Sequence, residues 1–203
     1  MKRVAGALTF AGLIALAASS VTAQQTPEKM SPETSNAAMP EKALVCLSCH
    51  GDKGKPIDTS IPIVFGQNEG YIYTELKDMK KGARKNEQMT AIVETLSRDD
   101  MLAIAAYFSA LKWPNLSQPR ASAEEDKRFE AINVSAGCTG CHQVGYLGAG
   151  TQPHIAGQSY DYLVKTMMDF RSGARANNPW MKDLLNTYHD EDIQLMARVL
   201  SGL

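Results

Sequence analysis

The stretches Cys46-Leu47-Ser48-Cys49-His50 and Cys138-Thr139-Gly140-Cys141-His142 decide how this chain is read. Both spell C-x-x-C-H, the attachment signature of c-type haem. Two thiols three positions apart can each add to one vinyl group of the same porphyrin. The His that follows is then held beneath the iron as its proximal ligand. These two motifs use all four cysteines of the chain. A four-cysteine zinc site needs pairs much closer in sequence than the 92 positions separating these. A thioredoxin-like dithiol needs a strand-helix-strand setting that neither pair has. Cys46, Cys49, Cys138 and Cys141 are therefore the expected anchors of two covalently bound haem c groups, with His50 and His142 as iron ligands.

Outward from the motifs, the chain repeats itself. Pro62 recurs as Pro153, Gly66-Gln67 as Gly157-Gln158, Tyr71 as Tyr162, and Gly82-Ala83-Arg84 as Gly173-Ala174-Arg175, all at an offset of 91. Met89 recurs as Met181 and Asp100 as Asp192 at an offset of 92. One residue is lost in the loop after the second motif and one is gained before Met181. Two unrelated segments sharing C-x-x-C-H would not match at these further places. Tandem domains from a duplication are the simpler reading.

Each repeat reads as helices. Tyr71, Ile72, Leu76 and Met79 lie close to helical spacing, with Gly82 as a stop; Leu163, Met167, Phe170 and Gly173 are the second copy. Ser97 with Asp100, and Ser122 with Glu125, have the spacing of capping boxes. The runs Met101 to Leu111 and Ile193 to Leu200 should be buried helices. Strand alternation is almost absent, so the expected fold class is all-α: two tandem helical domains joined by a short Pro-containing linker. The two prolines of Trp113-Pro114-Asn115-Leu116-Ser117-Gln118-Pro119 mark that linker. The expected domains are 41–113 and 122–203, with 114–121 between them.

The iron needs a sixth ligand or an open site, and that choice separates carriers from enzymes. The chain has ten Met residues, and core packing is the ordinary role of most. Met79, Met101, Met167, Met168 and Met196 sit in apolar helical patterns and read as core. Met89 and Met181 differ: each follows a polar, helix-poor stretch, and each falls 39 positions after its motif His. They are the expected distal ligands. Thioether ligation raises the potential and closes the iron to substrate, which disfavours peroxidase or oxygen chemistry. The carbonyls of Pro62 and Pro153 are the expected acceptors for the second N–H of each His. Arg84, Arg175, Tyr71 and Tyr162 are candidates to pair with haem propionates, with ordinary surface roles as the alternative. His154 and His189 have no counterpart in the first repeat and read as surface residues or supports behind the ligands.

The amino terminus reads as an export signal. Lys2 and Arg3 precede an apolar run from Val4 to Ala18, and Val21-Thr22-Ala23 has the small-x-small form of a cleavage site. Residues 1–23 are the expected signal peptide, cleaved after Ala23, and 24–40 a flexible, polar leader. A bacterial periplasm fits best, because c-type haem is attached there after translocation. Removing Lys2 and Arg3 leaves 19 basic against 22 acidic side chains, a formal net of −3, which argues against nucleic-acid binding. No later stretch approaches the length of a transmembrane helix, so no stable membrane insertion is expected.

Taken together, the residues resemble the cytochrome c4 family, the dihaem class I cytochromes with tandem domains. Phe65-Gly66-Gln67 with Gly82-Ala83-Arg84 carries the likeness in one half. Ile155-Ala156-Gly157-Gln158 with Gly173-Ala174-Arg175-Ala176-Asn177 carries it in the other. It covers the chain from about Ala43 to Leu203. The dihaem subunit of flavocytochrome c sulfide dehydrogenase is similar in the same places. Two positions depart from the pattern: Phe65 replaces the usual Leu or Ala, and Glu87-Gln88 stands where Asn-Pro is common. The resemblance implies a periplasmic electron carrier, not itself an enzyme, with His/Met coordination of both irons and propionates near the domain interface. The implied partners are donor and acceptor redox proteins, a membrane-bound oxidase or reductase among them. The alternative is the electron-accepting subunit of an enzyme complex. The basic cluster Lys77, Lys80, Lys81, Arg84 and Lys85 is a candidate docking patch, with a solvated helix face as the plainer reading.

Overall fold

The computed structural model describes residues 38–203. The signal segment and the leader up to residue 37 lie outside the described residues. Helices supply the regular structure, and among the described residues the only β pairings are two isolated bridges.

In the first half a 3-10 turn over Glu41–Ala43 leads into α1 (Leu44–His50), followed by α2 (Glu69–Lys80), α3 (Glu87–Val93) and α4 (Arg98–Ala110). In the second half come α5 (Ala123–Ala136), α6 (Cys138–His142), α7 (Tyr160–Ser172), α8 (Pro179–Leu185) and α9 (Asp190–Ser201). Each half buries its own apolar set. Ile72, Leu76 and Met79 of α2 meet Met101, Ile104 and Phe108 of α4. Leu163, Met167 and Phe170 of α7 meet Ile193, Met196 and Leu200 of α9. The expected core methionines pack there, and Met168 lies against the second cluster partly buried.

Local chemistry sets the helix ends. Ser97 and Asp100 form a reciprocal capping box at the start of α4, as do Ser122 and Glu125 at α5. At α9 the His189 backbone N–H donates to Asp192 Oδ2 at 3.1 Å, so His189 stands at the start of that helix. Gly82 (φ 73°) and Gly173 (φ 81°) end α2 and α7 in the left-handed region, where a side chain is strained.

No helix runs from residue 111 to residue 122. This segment is nevertheless fastened. Trp113 stacks on His154 with ring centroids 3.8 Å apart. The Gln118 side chain donates to the carbonyls of Gln158 (2.9 Å) and Ser201 (3.2 Å) and accepts from Tyr160 N–H (2.8 Å). His154 is therefore buried between the halves; of its two readings, surface residue or support behind the ligands, burial removes the first.

The two halves meet through matching elements. The first turn of α2 lies so close to the opposite half that a Cβ on Gly70 would stand 2.9 Å from the Gly150 carbonyl. In the mirror arrangement Asp161, in the first turn of α7, accepts from Thr59 of the opposite loop. Arg84 and Arg175 pair through their backbones as an antiparallel bridge. Among the described residues, no helix is long and apolar enough to cross a membrane.

Candidate haem-binding site

Both C-x-x-C-H motifs are helical. In α1, Cys46, Cys49 and His50 stand at i, i+3 and i+4, so all three share one face. Cys138, Cys141 and His142 repeat the arrangement in α6. Gly137, with φ 65°, separates α6 from α5 and lets the second motif start a fresh helix. No disulfide joins the four cysteines. Burial pushes the Cys46 thiol up to about 11 and raises Cys138 as well. Among the described residues, no three of His, Cys, Asp and Glu gather as a metal-ion cage, which leaves the zinc reading without support.

Each motif His is buried and oriented as its sequence position suggests. His50 donates from Nδ1 to the Pro62 carbonyl at 2.8 Å, and His142 to the Pro153 carbonyl at 3.1 Å. That bond fixes the tautomer and leaves Nε2 as the lone-pair nitrogen. Burial lowers the pKa of both rings and outweighs the opposing effect of the carbonyl bonds, so both are neutral.

The two methionines singled out by sequence occupy the same place in α3 and α8. Each stands at the third position of a short helix. Asn86 accepts from Met89 N–H at 2.9 Å, and Asn178 accepts from Met181 N–H at 3.3 Å. These asparagine caps were readable as N-cap residue types, yet spacing alone suggested only polar loops before each Met. One cavity of about 500 Å3 runs between the halves and is lined by Cys46, Cys49, His50 and Met89 from one and His142 and Met181 from the other. Cys138 and Cys141 are not on that lining: Cys138 packs against the second core and Cys141 is exposed.

The expected propionate partners are held differently from the sequence reading. Arg175 is buried and Arg84 half-buried at the domain interface, and both converge on Glu75, a residue that sequence reasoning did not single out. Arg84 Nη1 lies 2.8 Å from Glu75 Oε2, and Arg175 Nη2 lies 2.5 Å from Oε1. Each guanidinium also reaches across to the other half: Arg84 donates to Tyr162 Oη (3.1 Å), Arg175 to Tyr71 Oη (3.2 Å). Burial acts to raise the Glu75 carboxyl. The charges of Arg175 and Arg84, with hydrogen bonds from Arg84 and Asn177, prevail and hold it below its ordinary value. Two guanidiniums over one carboxylate leave a surplus positive charge beside the cavity, suited to anionic groups. Neutral imidazoles with free Nε2, paired thiols on the same helix face and this surplus charge together fit two covalently attached haems.

The basic docking cluster does not hold together as a surface. Arg84 turns into the interface to pair with Glu75, and Lys80 turns its ammonium to the carbonyls of Glu94 (3.2 Å) and Leu96. Lys81 and Lys85 stay exposed.

Comparison with known proteins gives the same direction. The cytochrome c family model matches residues 130–196. The chain is 33% identical to a cytochrome c4 of Pseudomonas aeruginosa over 176 residues, covering 82% of this chain and 88% of that protein. It is 30% identical over 172 residues to a thiosulfate dehydrogenase electron acceptor of Stutzerimonas stutzeri, covering 79% of this chain and 80% of that one. Among solved structures, reduced recombinant cytochrome c4 from Pseudomonas stutzeri superposes with a TM-score of 0.71 at 30% identity, covering 80% of this chain and 95% of that one. With the duplicated motifs, the matched fold and this extent of identity, the chain belongs to the cytochrome c4 family of dihaem electron-transfer cytochromes.

Proposed function

We propose that the chain is a periplasmic electron carrier with domains at 41–113 and 122–203, the segment 114–121 joining them. Cys46 and Cys49 hold one haem c and Cys138 and Cys141 the other. His50 with Met89, and His142 with Met181, are the axial pairs. The observation that carries this reading is the matched placement of His50 with Met89 and of His142 with Met181, each His tied at Nδ1 to a proline carbonyl. A bound haem supplies a one-electron couple that cycles between ferrous and ferric iron. The chain's part is to keep the ligands in place with little rearrangement. The caps at Asn86 and Asn178 fix the start of each Met-bearing helix, and the proline carbonyls fix each ring.

Pyridine haemochrome analysis of the purified protein should give two haems c per chain. Met89→Ala and Met181→Ala should each abolish the far-red methionine-to-ferric band of one haem and let that ferrous iron bind carbon monoxide. Retention of the full band in both variants would overturn the assignment.

A second reading has support from the relatives named as thiosulfate dehydrogenase electron acceptors. Here the same protein would take electrons as one component of an enzyme system. Co-purification with a larger catalytic chain at fixed stoichiometry favours this reading; purification alone favours the free carrier.

A further inference from the structure

The Gly-Gln pairs of the repeat have a use that neither haem attachment nor ligation requires. Gly66 and Gly157 both adopt φ 68°. Their N–H groups are held by the Phe108 and Leu200 carbonyls, each at 2.8 Å. A Cβ at Gly66 would stand 2.8 Å from Trp113 N and 2.9 Å from the Leu111 carbonyl, so only glycine fits. The glutamine that follows each glycine is almost fully buried, at 4% exposure for Gln67 and 3% for Gln158. Each sends its amide into the opposite domain.

Gln67 accepts from His154 N–H and donates to the His154 carbonyl, both at 2.8 Å. Gln158 accepts from Ile63 N–H at 2.8 Å and donates to the Ile63 carbonyl at 3.1 Å. The gripped N–H groups are not arbitrary. His154 N–H and the Pro153 carbonyl are two ends of one peptide group, and that carbonyl is the acceptor for His142 Nδ1–H. Ile63 N–H and the Pro62 carbonyl form the equivalent peptide, which accepts from His50. A peptide group is planar, so fixing its N–H fixes its carbonyl. Hydrogen bonds in series also polarise one another, so an acceptor on the N–H strengthens the carbonyl at the far end.

We propose that the glutamines are crossed positioning residues: Gln67 of domain 1 orients and tunes His142 of domain 2, and Gln158 of domain 2 does the same for His50 of domain 1. This rests on His50 and His142 being the iron ligands. A stronger acceptor at Nδ1–H makes the imidazole a better donor at Nε2 and favours ferric iron. Losing the glutamine amide weakens that acceptor and raises the potential of the haem in the other domain. Each domain thereby sets part of its neighbour's redox properties, and opening the interface alters both.

The test uses the full-length dihaem protein and the variants Gln67→Leu and Gln158→Leu, which keep bulk and remove the amide. Thr59→Val is the control, because Thr59 bridges the same interface to Asp161 without touching either relay peptide. Midpoint potentials of the two haems and the hyperfine-shifted proton resonances of each ligand His are recorded. Gln67→Leu should shift the His142 resonances and raise that haem's reduction constant by about threefold, the other haem moving less. Gln158→Leu should do the converse, and it reads the same proposal if Gln67→Leu does not accumulate. Thr59→Val should leave both potentials in place. A shift confined to the variant's own domain, an equal shift at both haems, or none would overturn the proposal while leaving His ligation standing. Wild-type resonances lacking a ligated His at either iron would instead remove the ligand assignment, and the crossed relay with it.

Discussion

At the same register of α2 and α7 stand Glu75 and Thr166, and at this exchange the two domains begin to part company. Thr166 Oγ1 accepts a single bond from Arg175 Nη1, at 3.0 Å. Glu75 gathers both guanidiniums and the amide of Asn177, which lies 3.2 and 3.1 Å from its two oxygens. Asn177 belongs to the stretch Arg175-Ala176-Asn177-Asn178, one residue longer than Arg84-Lys85-Asn86, and it also donates to Asp78 at 3.0 Å. The duplicated backbone is nearly symmetric about the interface, but its charge is not. One substitution and one inserted residue place the carboxylate on domain 1 and an extra donor on domain 2. Identical scaffolds thus give the two haem sites different electrostatic surroundings.

The comparison can be broken most directly at Glu75. Glu75→Ala leaves the buried Arg175 and the half-buried Arg84 without their carboxylate and should cost about 3–5 kcal/mol in denaturant unfolding. Thr166→Ala removes one hydrogen bond to a charged group and should cost about 1.5 kcal/mol. Equal losses would mean that the asymmetry has no energetic weight.

Acid should expose the same difference. The Glu75 carboxyl is held below its ordinary value of 4.5 in the folded protein. Its stabilising contribution is therefore complete above that value and disappears as pH falls through the lower folded one. Glu75→Gln should flatten this part of the stability profile, read by urea unfolding across pH 2 to 6, a range set around the usual carboxylate values. An unchanged acid slope would place the acid sensitivity elsewhere.

The helices that bear the methionines offer a finer contrast. Removing either asparagine cap should cost about 1 kcal/mol. However, α8 has Pro179 at its first position, which pre-sets the backbone, whereas α3 begins with Glu87. Asn86→Ala should loosen Met89 more than Asn178→Ala loosens Met181, seen as earlier loss of one far-red band in a urea titration. The smallest effect is expected on the outer surface. Lys81→Glu should slow electron exchange with an acidic partner by about twofold at low salt, the change vanishing as salt rises. A salt-independent change would point to altered structure instead.

Much of this was legible because the signals were local. The two pentapeptides, the glycine stops at Gly82 and Gly173, and the capping boxes at Ser97 and Ser122 need only a few neighbouring residues to be read. The pairing of His50 with Pro62, and of His142 with Pro153, was also accessible because the repeat aligned each proline after its motif. What escaped was tertiary. Glu75 sits in an ordinary helical pattern, and nothing in its neighbours announces two arginines arriving from different domains. The burial of His154 could not be read because its stacking partner, Trp113, is 41 positions away in sequence. The lysine-rich stretch stayed open between a docking patch and a solvated helix face because sequence counts charges without showing that Arg84 turns inward and Lys80 folds back on carbonyls.

The fastening of Gln118 bears on how the interface survives at all. Its bonds are polar, and none is strong by itself. The segment through Ser117 and Gln118 joins the halves covalently, so each meets the other at an effective concentration set by a short tether, of millimolar order for flexible linkers. Anchoring Gln118 to Gln158, Tyr160 and Ser201 shortens the free part of that tether further. An interface held largely by polar bonds can therefore stay closed here whatever the protein concentration. Cleaving the chain near Ser117 would turn an intramolecular closure into a dilution-sensitive association.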